Sequence, residues 1–282
     1  MSCNISSKDL NNLLLKGLLK NLTDYFQSIG SNFYVIGATA RDIILSGIHN
    51  QTSTRRTTDL DIAIIIKDWD KFAQISKELC EIEGFTKDNK KSQRFHFQDV
   101  YDIDVVPFGE IAKADNNIYW PPEEEFAMSV AGFTEVANNT LDVTIDNEFS
   151  IKVASLPSIF ILKLWAFYDR KAKTNKDADD MAFIINNYLE INETRAIEEH
   201  YDLYGVENFT CFIAGSTLLG RDIKTILEEN AETLESFIGI LETELALEEE
   251  STLINQMLET NRSLKYEESL EALQMLLQEL KK

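Results

Sequence analysis

Two aspartates one residue apart, Asp59 and Asp61, are the side chains in this sequence whose spacing suggests chemistry. They open the apolar segment 59–66, which is typical of a strand, and side chains two residues apart in a strand share a face. Two neighbouring carboxylates repel each other, and a divalent cation between them relieves that repulsion. Mg²⁺ suits such a pair because it prefers oxygen ligands and keeps sites for water and phosphate. The spacing therefore predicts a metal site at Asp59 and Asp61.

A second acidic segment, 101–107, also alternates acids with apolar residues and reads as a strand. Asp104 on that strand completes a triad of carboxylates able to hold two metal ions. Asp102 has the same parity and is the alternative third ligand. We prefer Asp104 because apolar residues flank it on both sides.

The elements around these acids follow from periodicity. Helices are predicted over 8–29, 40–45 and 69–83, and strands over 33–36, 59–66, 93–98, 101–107, 138–142 and 151–154. Strand–helix–strand alternation followed by paired strands indicates an α/β (α+β) domain with a mixed sheet flanked by helices. Gly37-Ala38-Thr39 is predicted as the turn after the first of these strands.

A boundary is predicted at Ser155, a polar helix-cap candidate followed by Pro157 in the first helical turn. From 159 to 188 the pattern is helical and is interrupted by the basic loop 170–176, and the residues beyond 190 are almost all helix-compatible. We therefore expect two domains, residues 1–154 carrying the acids and residues 155–282 forming a helical domain with acidic C-terminal helices.

The Gly-headed turn, the Asp-x-Asp strand and the third acidic strand together resemble the nucleotidyltransferase superfamily that includes DNA polymerase β. The resemblance implies that Asp59, Asp61 and Asp104 hold two Mg²⁺ ions and that Gly37, Ala38, Thr39 and Arg41 contact the nucleotide. Many members have Gly-Gly or Gly-Ser where this chain has Gly37-Ala38. The segment 37–47 also resembles the start of CCA-adding tRNA enzymes, but the later motifs of those enzymes are missing from the sequence.

The segment 161–180 carries a second constellation, Leu162-Lys163 … Asp169-Arg170 … Lys176-Asp177 … Asp180. Lys163 and Arg170, seven residues apart, share a helix face. The segment resembles the bacterial abortive-infection (AbiEii-like) nucleotidyltransferase toxins. That resemblance implies that Lys163 contacts nucleotide phosphates as a catalytic residue and that Asp180 assists, with Asp177 as the competing choice.

Charge and cysteine content limit the partners and the compartment. The net charge is −21, and residues 191–282 hold 20 acids against 7 bases. Such a balance disfavours broad binding to nucleic acid and leaves three local basic clusters for an RNA substrate. These clusters are Arg55 and Arg56; Lys87, Lys90, Lys91 and Arg94; and Arg170, Lys171, Lys173 and Lys176. Three scattered cysteines and the lack of a secretion signal or a membrane-length apolar run predict a cytoplasmic protein.

The leading hypothesis is a Mg²⁺-dependent nucleotidyltransferase that uses an NTP such as ATP. Its acceptor hydroxyl belongs to a tRNA 3′ end, a protein or a small molecule, and the resemblance adds a toxin–antitoxin or phage-defence role with a cognate antitoxin. The alternative is a non-catalytic nucleotide-binding regulatory or interaction protein. The altered Gly37-Ala38 turn and the acidic helical tail favour that alternative.

Overall fold

The computed structural model describes residues 2–10, 13–49, 58–122 and 127–282. Its strands are β1 (Ser2–Ile5), β2 (Phe33–Ile36), β3 (Asp59–Ile65), β4 (Phe85–Lys87), β5 (Arg94–Phe97), β6 (Tyr101–Phe108), β7 (Asn117–Tyr119), β8 (Ala127–Ser129), β9 (Thr140–Ile145) and β10 (Phe149–Ala154). Its α-helices are α1 (Leu13–Ser28), α2 (Gly37–Asp42), α3 (Trp69–Leu79), α4 (Phe133–Asn138), α5 (Leu156–Arg170), α6 (Lys176–Ile191), α7 (Glu193–Glu199), α8 (Cys211–Leu227), α9 (Ala231–Ala246), α10 (Thr252–Thr260) and α11 (Tyr266–Lys281). A π-helical stretch, Ile43–Ile48, continues α2, and short 3₁₀ turns cover Tyr201–Gly205 and Glu248–Glu250.

Eight strands form one mixed sheet in the order β1-β9-β10-β2-β3-β6-β5-β4. The pairs β1–β9, β10–β2 and β3–β6 are parallel, and the remaining neighbours are antiparallel. β7 and β8 form a separate hairpin. The predicted mixed sheet flanked by helices is confirmed.

The start of the chain differs from the prediction. The helix expected over 8–29 begins only at Leu13, and the edge strand β1 precedes it. The predicted apolar face of this helix is real, because Leu18, Leu22 and Phe26 are buried. The predicted turn at 37–39 is also wrong, since Gly37 already begins α2.

The chain divides into two compact units, Met1–Ile159 and Phe160–Lys282. The division falls in the first turn of α5, slightly later than the predicted break at Ser155. Ser155 does cap this helix, because its Oγ accepts a hydrogen bond from the backbone N–H of Ser158 at 3.4 Å.

The second unit is helical, and α8 packs against both α6 and α11. Glycines allow these close approaches. A Cβ on Gly215 would lie 2.7 Å from the carbonyl oxygen of Ile185, and one on Gly220 would lie 2.9 Å from that of Leu276. In the described ranges of the chain, no helix combines the length and the apolar character that crossing a bilayer requires.

Candidate active site

Strand β3 presents its two aspartates on one face of the sheet. Leu60 and Ile62 are fully buried, whereas Asp59 is exposed and Asp61 is half-buried. The alternation follows from the two-residue period of a strand, which sends apolar and acidic side chains to opposite faces. The local sequence therefore fixes both carboxylates on the polar face.

The neighbouring strand β6 brings two more acids to the same face. The parallel register sets Asp59 opposite Asp102 and Asp61 opposite Asp104. Neighbouring strands lie about 4.8 Å apart, so four carboxylates share a small area. Both alternatives for the third carboxylate are on this surface, which we call the carboxylate face (Asp59, Asp61, Asp102 and Asp104).

Two cationic or ionisable side chains of β5 cover part of the carboxylate face. Arg94 donates from Nε and Nη2 to the two oxygens of Asp104, at 2.8 and 2.7 Å, and from Nη1 to Asp102 at 2.6 Å. His96 Nδ1 lies 2.8 Å from Asp102, and its Nε2 lies 3.1 Å from Asp88. The hydrogen bond with Asp102 raises the pKa of His96 above its ordinary value. Arg94 therefore partly neutralises this group of acids.

Sequence reasoning missed the contact between Arg94 and Asp104. It placed Arg94 in a basic cluster available to an RNA substrate. One signal was present, because Arg94 and His96 alternate with buried Phe95 and Phe97 and must therefore face the polar side of the sheet.

Helix α2 begins against these carboxylates. Gly37 has a φ of +67°, and a Cβ at that position would lie 2.4 Å from Oδ2 of Asp61. Only glycine therefore allows the chain to turn this close to the acid. Because the first N–H groups of a helix have no acceptor within the helix, the start of α2 offers donors beside Asp61.

The other predicted nucleotide contacts have structural roles in α2. The Thr39 hydroxyl donates to the carbonyl oxygen of Asp59 at 2.8 Å, which ties the helix to β3. The Arg41 side chain is buried and donates from Nε and Nη2 to Asp42 at 2.9 and 2.7 Å. The assignment of Gly37, Ala38, Thr39 and Arg41 to nucleotide phosphates stays a prediction.

The carboxylate face fits a divalent cation in its chemistry. Its ligand atoms are carboxylate oxygens, which Mg²⁺ prefers, and Gly37 places no side chain against Asp61. Within the ranges that the structure describes, no three acidic, histidine or cysteine side chains are grouped as metal ligands. Both oxygens of Asp104 contact Arg94 instead. The two-metal site at Asp59, Asp61 and Asp104 stays a prediction.

The second unit holds a separate buried charge cluster on α5 and α6. Lys163 Nζ lies 3.0 Å from Asp177 and 2.6 Å from Asp180. Arg170 donates to both oxygens of Asp177, at 2.6 and 2.7 Å. The predicted shared face of Lys163 and Arg170 is therefore observed, and both candidate acids contact Lys163.

Burial and pairing compete in this cluster. Burial favours the neutral amine, but the charges of Asp180 and Asp177 outweigh it and raise the pKa of Lys163. Burial likewise opposes ionisation of Asp177, yet the hydrogen bond from Arg170 and the charge of Lys163 lower its pKa. Lys163 and Asp177 are thus held in their charged forms.

Not every predicted site residue can be placed. The basic pair Arg55 and Arg56 lies outside the described residues. The carboxylate face belongs to the first unit and the Lys163 cluster to the second. A role of Lys163 and Asp180 in contacting nucleotide stays a prediction.

The mixed sheet, the helix that starts at a glycine and the acids on two parallel strands are those of a nucleotidyltransferase-like fold. Residues 22–279 match the sequence profile of the AbiEii nucleotidyl transferase toxins of type IV toxin–antitoxin systems, and the chain belongs to this family. Membership implies a nucleoside triphosphate as substrate and an antitoxin as partner. Comparison with curated proteins and with solved structures gives no match.

Proposed function

We propose that this protein is a Mg²⁺-dependent nucleotidyltransferase that transfers NMP from an NTP to an acceptor hydroxyl. The observation that carries the proposal is the β3–β6 register, which sets Asp61 beside Asp104 with Asp59 on the same face. Acids on two adjacent strands next to a helix start form an arrangement suited to cations and phosphate together.

Three acids of the carboxylate face would have roles in this reaction. Asp59 and Asp61 would hold the cations, and the first backbone N–H groups of α2 at Gly37 would orient the triphosphate. Two Mg²⁺ ions, when bound, neutralise phosphate oxygens and favour ionisation of the acceptor hydroxyl. Asp104 would accept the hydroxyl proton as general base. The acceptor oxygen then bonds to the α-phosphorus, and pyrophosphate leaves with the electrons of the broken bond.

Arg94 has to release Asp104 before that acid can bind a cation or accept a proton. Its three hydrogen bonds keep Asp104 and Asp102 paired with a guanidinium group instead of a metal ion. The guanidinium would then be free to turn toward the phosphates, which arginine binds well. This makes Arg94 a positioning residue for the proposed reaction.

The same contact supports the second candidate, a nucleotide-binding regulatory protein without turnover. A permanent Arg94–Asp104 pair would leave only Asp59 and Asp61 for metal. The two candidates predict different products when nucleotide is supplied, so one experiment decides between them.

The test is incubation of the purified chain with Mg²⁺ and each α-labelled NTP, with total tRNA and cell lysate as acceptors. We expect label on one acceptor with the wild type, none with Asp61→Asn, and wild-type labelling with Asp142→Asn. Asp142 is a matched control because it is an exposed acid on strand β9 of the same sheet. Mg²⁺-dependent NTP binding without label in any fraction would refute transfer and establish the regulatory alternative.

A further inference from the structure

A pocket of about 310 Å³ opens in the first unit near the edge of the sheet, beside α3 and the β4–β5 hairpin. Its lining combines rings and ammonium groups, so we call it the basic-aromatic pocket. Its lining includes three aromatic residues and three lysines: Trp69, Phe72, Trp120, Lys87, Lys90 and Lys91. None of them belongs to the carboxylate face.

Three aromatic rings form one continuous surface of this pocket. The centroids of Trp69 and Trp120 are 4.9 Å apart, and Phe72 lies 5.8 Å from Trp69 and 5.4 Å from Trp120. Both indoles are only half-buried, so part of each ring remains accessible. Accessible aromatic rings of this kind are where nucleic-acid bases stack, and stacking accepts any base.

Three lysines bring positive charge to this pocket, whereas the chain as a whole is strongly negative. Lys87 Nζ lies 3.8 Å from the centroid of Phe95 and donates to the carbonyl of Ser92, while Lys90 and Lys91 are exposed. Burial lowers the pKa of Lys87 to about 8. A bound anion would raise this pKa again, because a nearby negative charge favours the ammonium.

The loop that carries these lysines is fixed by its own acid. Asp88 accepts backbone hydrogen bonds from Lys90 and Lys91, both at 2.7 Å, and also contacts His96 at 3.1 Å. Among the lining residues that the structure describes, Asp88 is the one acid, against three lysines. These described lining residues therefore hold more basic than acidic groups, in a chain whose net charge is −21.

We propose that the basic-aromatic pocket binds one nucleotide of a single-stranded RNA, with the base against Trp69 and Trp120 and its phosphates at Lys90 and Lys91. The binding of RNA stands on the pocket alone, and only the identification of that RNA as the acceptor rests on the proposed function. The strongly acidic remainder of the chain limits RNA contact to such a local site, because wide contact with the backbone needs many cations.

The experiment measures binding of a fluorescently labelled single-stranded oligoadenylate by anisotropy in EDTA, with unlabelled AMP as competitor. Trp120→Leu should raise the Kd about 5- to 100-fold, because it removes a ring on which a base stacks. Lys90→Gln/Lys91→Gln should lower the slope of log K against log salt by about 1.4, since single strands release about 0.7 counterion per phosphate contact. Quenching of tryptophan fluorescence in a Trp165→Phe background would report stacking directly.

The matched control is Lys20→Gln/Lys77→Gln, which removes two exposed lysines of the same unit outside the pocket. It should leave both the Kd and the salt slope near wild type. Equal Kd values in the wild type and both pocket variants, or no binding of oligoadenylate or AMP, would overturn the proposal. If AMP competes with the same affinity as the oligonucleotide, a free nucleotide is sufficient for binding. If AMP competes only weakly, the ligand of the pocket is the RNA strand.

Failure of this proposal can be told apart from failure of the proposed function. Asp61→Asn should bind the oligonucleotide as the wild type does, because Asp61 lies outside the pocket. Oligonucleotide binding without any NMP transfer would leave the pocket assignment intact and refute only the enzyme. NMP transfer that is unaffected by Trp120→Leu, together with unchanged Kd, would refute only the pocket.

Discussion

Replacement of Lys163 by methionine should destabilise the second unit, because it removes the cation between two buried acids. The side chains of Asp177 and Asp180 are 1% and 3% exposed, and that of Lys163 is 13% exposed. Arg170, which is 49% exposed, still reaches Asp177 from the other side. Asp180 loses a contact of 2.6 Å.

The magnitude follows from the burial of the acids. Removal of one partner from a buried ion pair is unfavourable by about 3–5 kcal/mol, because the remaining charge stays out of water. Domains of this size are stable by about 5–15 kcal/mol, so the change consumes a large fraction of the total. A triple variant, Lys163→Met/Asp177→Asn/Asp180→Asn, should recover most of the loss because no buried charge is left uncompensated.

The pH dependence has a definite sign. The pKa of Asp177 is lowered in the folded state, so its stabilisation is present above the ordinary carboxyl pKa of about 4 and is lost as the pH falls. The pKa of Lys163 is raised, so its stabilisation is present below about pH 10.4 and is lost as the pH rises through the folded value. The gap between wild type and Lys163→Met should therefore be widest between these limits.

Trp165 makes the measurement selective. It is the tryptophan of the second unit, is 7% exposed and packs 5.5 Å from Phe237. Urea unfolding followed by its fluorescence in a Trp69→Phe/Trp120→Phe background reports that unit alone. A loss below about 1 kcal/mol for Lys163→Met, the size of an exposed pair, would refute the reasoning. So would a triple variant no more stable than the single one.

Four other substitutions test the remaining geometry. Gly37→Ala should abolish NMP transfer and lower stability by about 1–2 kcal/mol, because the new Cβ would lie 2.4 Å from Asp61 and the residue has a positive φ. Retained NMP transfer in the labelling assay would contradict this prediction. Arg94→Gln should reduce stability in EDTA by about 2 kcal/mol, because it removes hydrogen bonds between charged groups, and the loss should be smaller when Mg²⁺ is present. Calorimetry measures both losses, and equal losses with and without Mg²⁺ would count against a shared cation site. Gly220→Ala should lower stability by about 1–3 kcal/mol, because its Cβ would press on α11. Gly239→Ala has open space around its Cα and should raise stability by up to about 1 kcal/mol. Thermal unfolding measures both changes, and equal shifts of the two variants would contradict this packing.

The parts of the fold that follow from local sequence were predicted well. β3 and β6 each begin with acids that alternate with buried apolar residues and continue as a buried apolar run, and the predicted strands nearly coincide with them. The interruption between α5 and α6 was also predicted, because polar residues break the apolar period there. Long periodic segments carry enough information in one stretch of sequence to define an element.

The errors fall where local sequence carries little information. β1 has four residues, too few for a period, and it is stable only because β9 supplies its hydrogen bonds. The contact of Arg94 with Asp104 depends on the β5–β6 register, which no short segment encodes. The predicted basic cluster at Lys87, Lys90, Lys91 and Arg94 did not include Trp120, which follows β7 and lines the same pocket as the three lysines.

The parallel pairing of β3 with β6 also determines when the carboxylate face comes into existence. The chain between them contains α3, β4 and β5, so the face depends on contacts distant in sequence. Such contacts form slowly because loop closure comes first. During synthesis, a nascent chain that ends before β6 carries Asp59 and Asp61 without Asp102 or Asp104. A chain interrupted there therefore cannot assemble the carboxylate face.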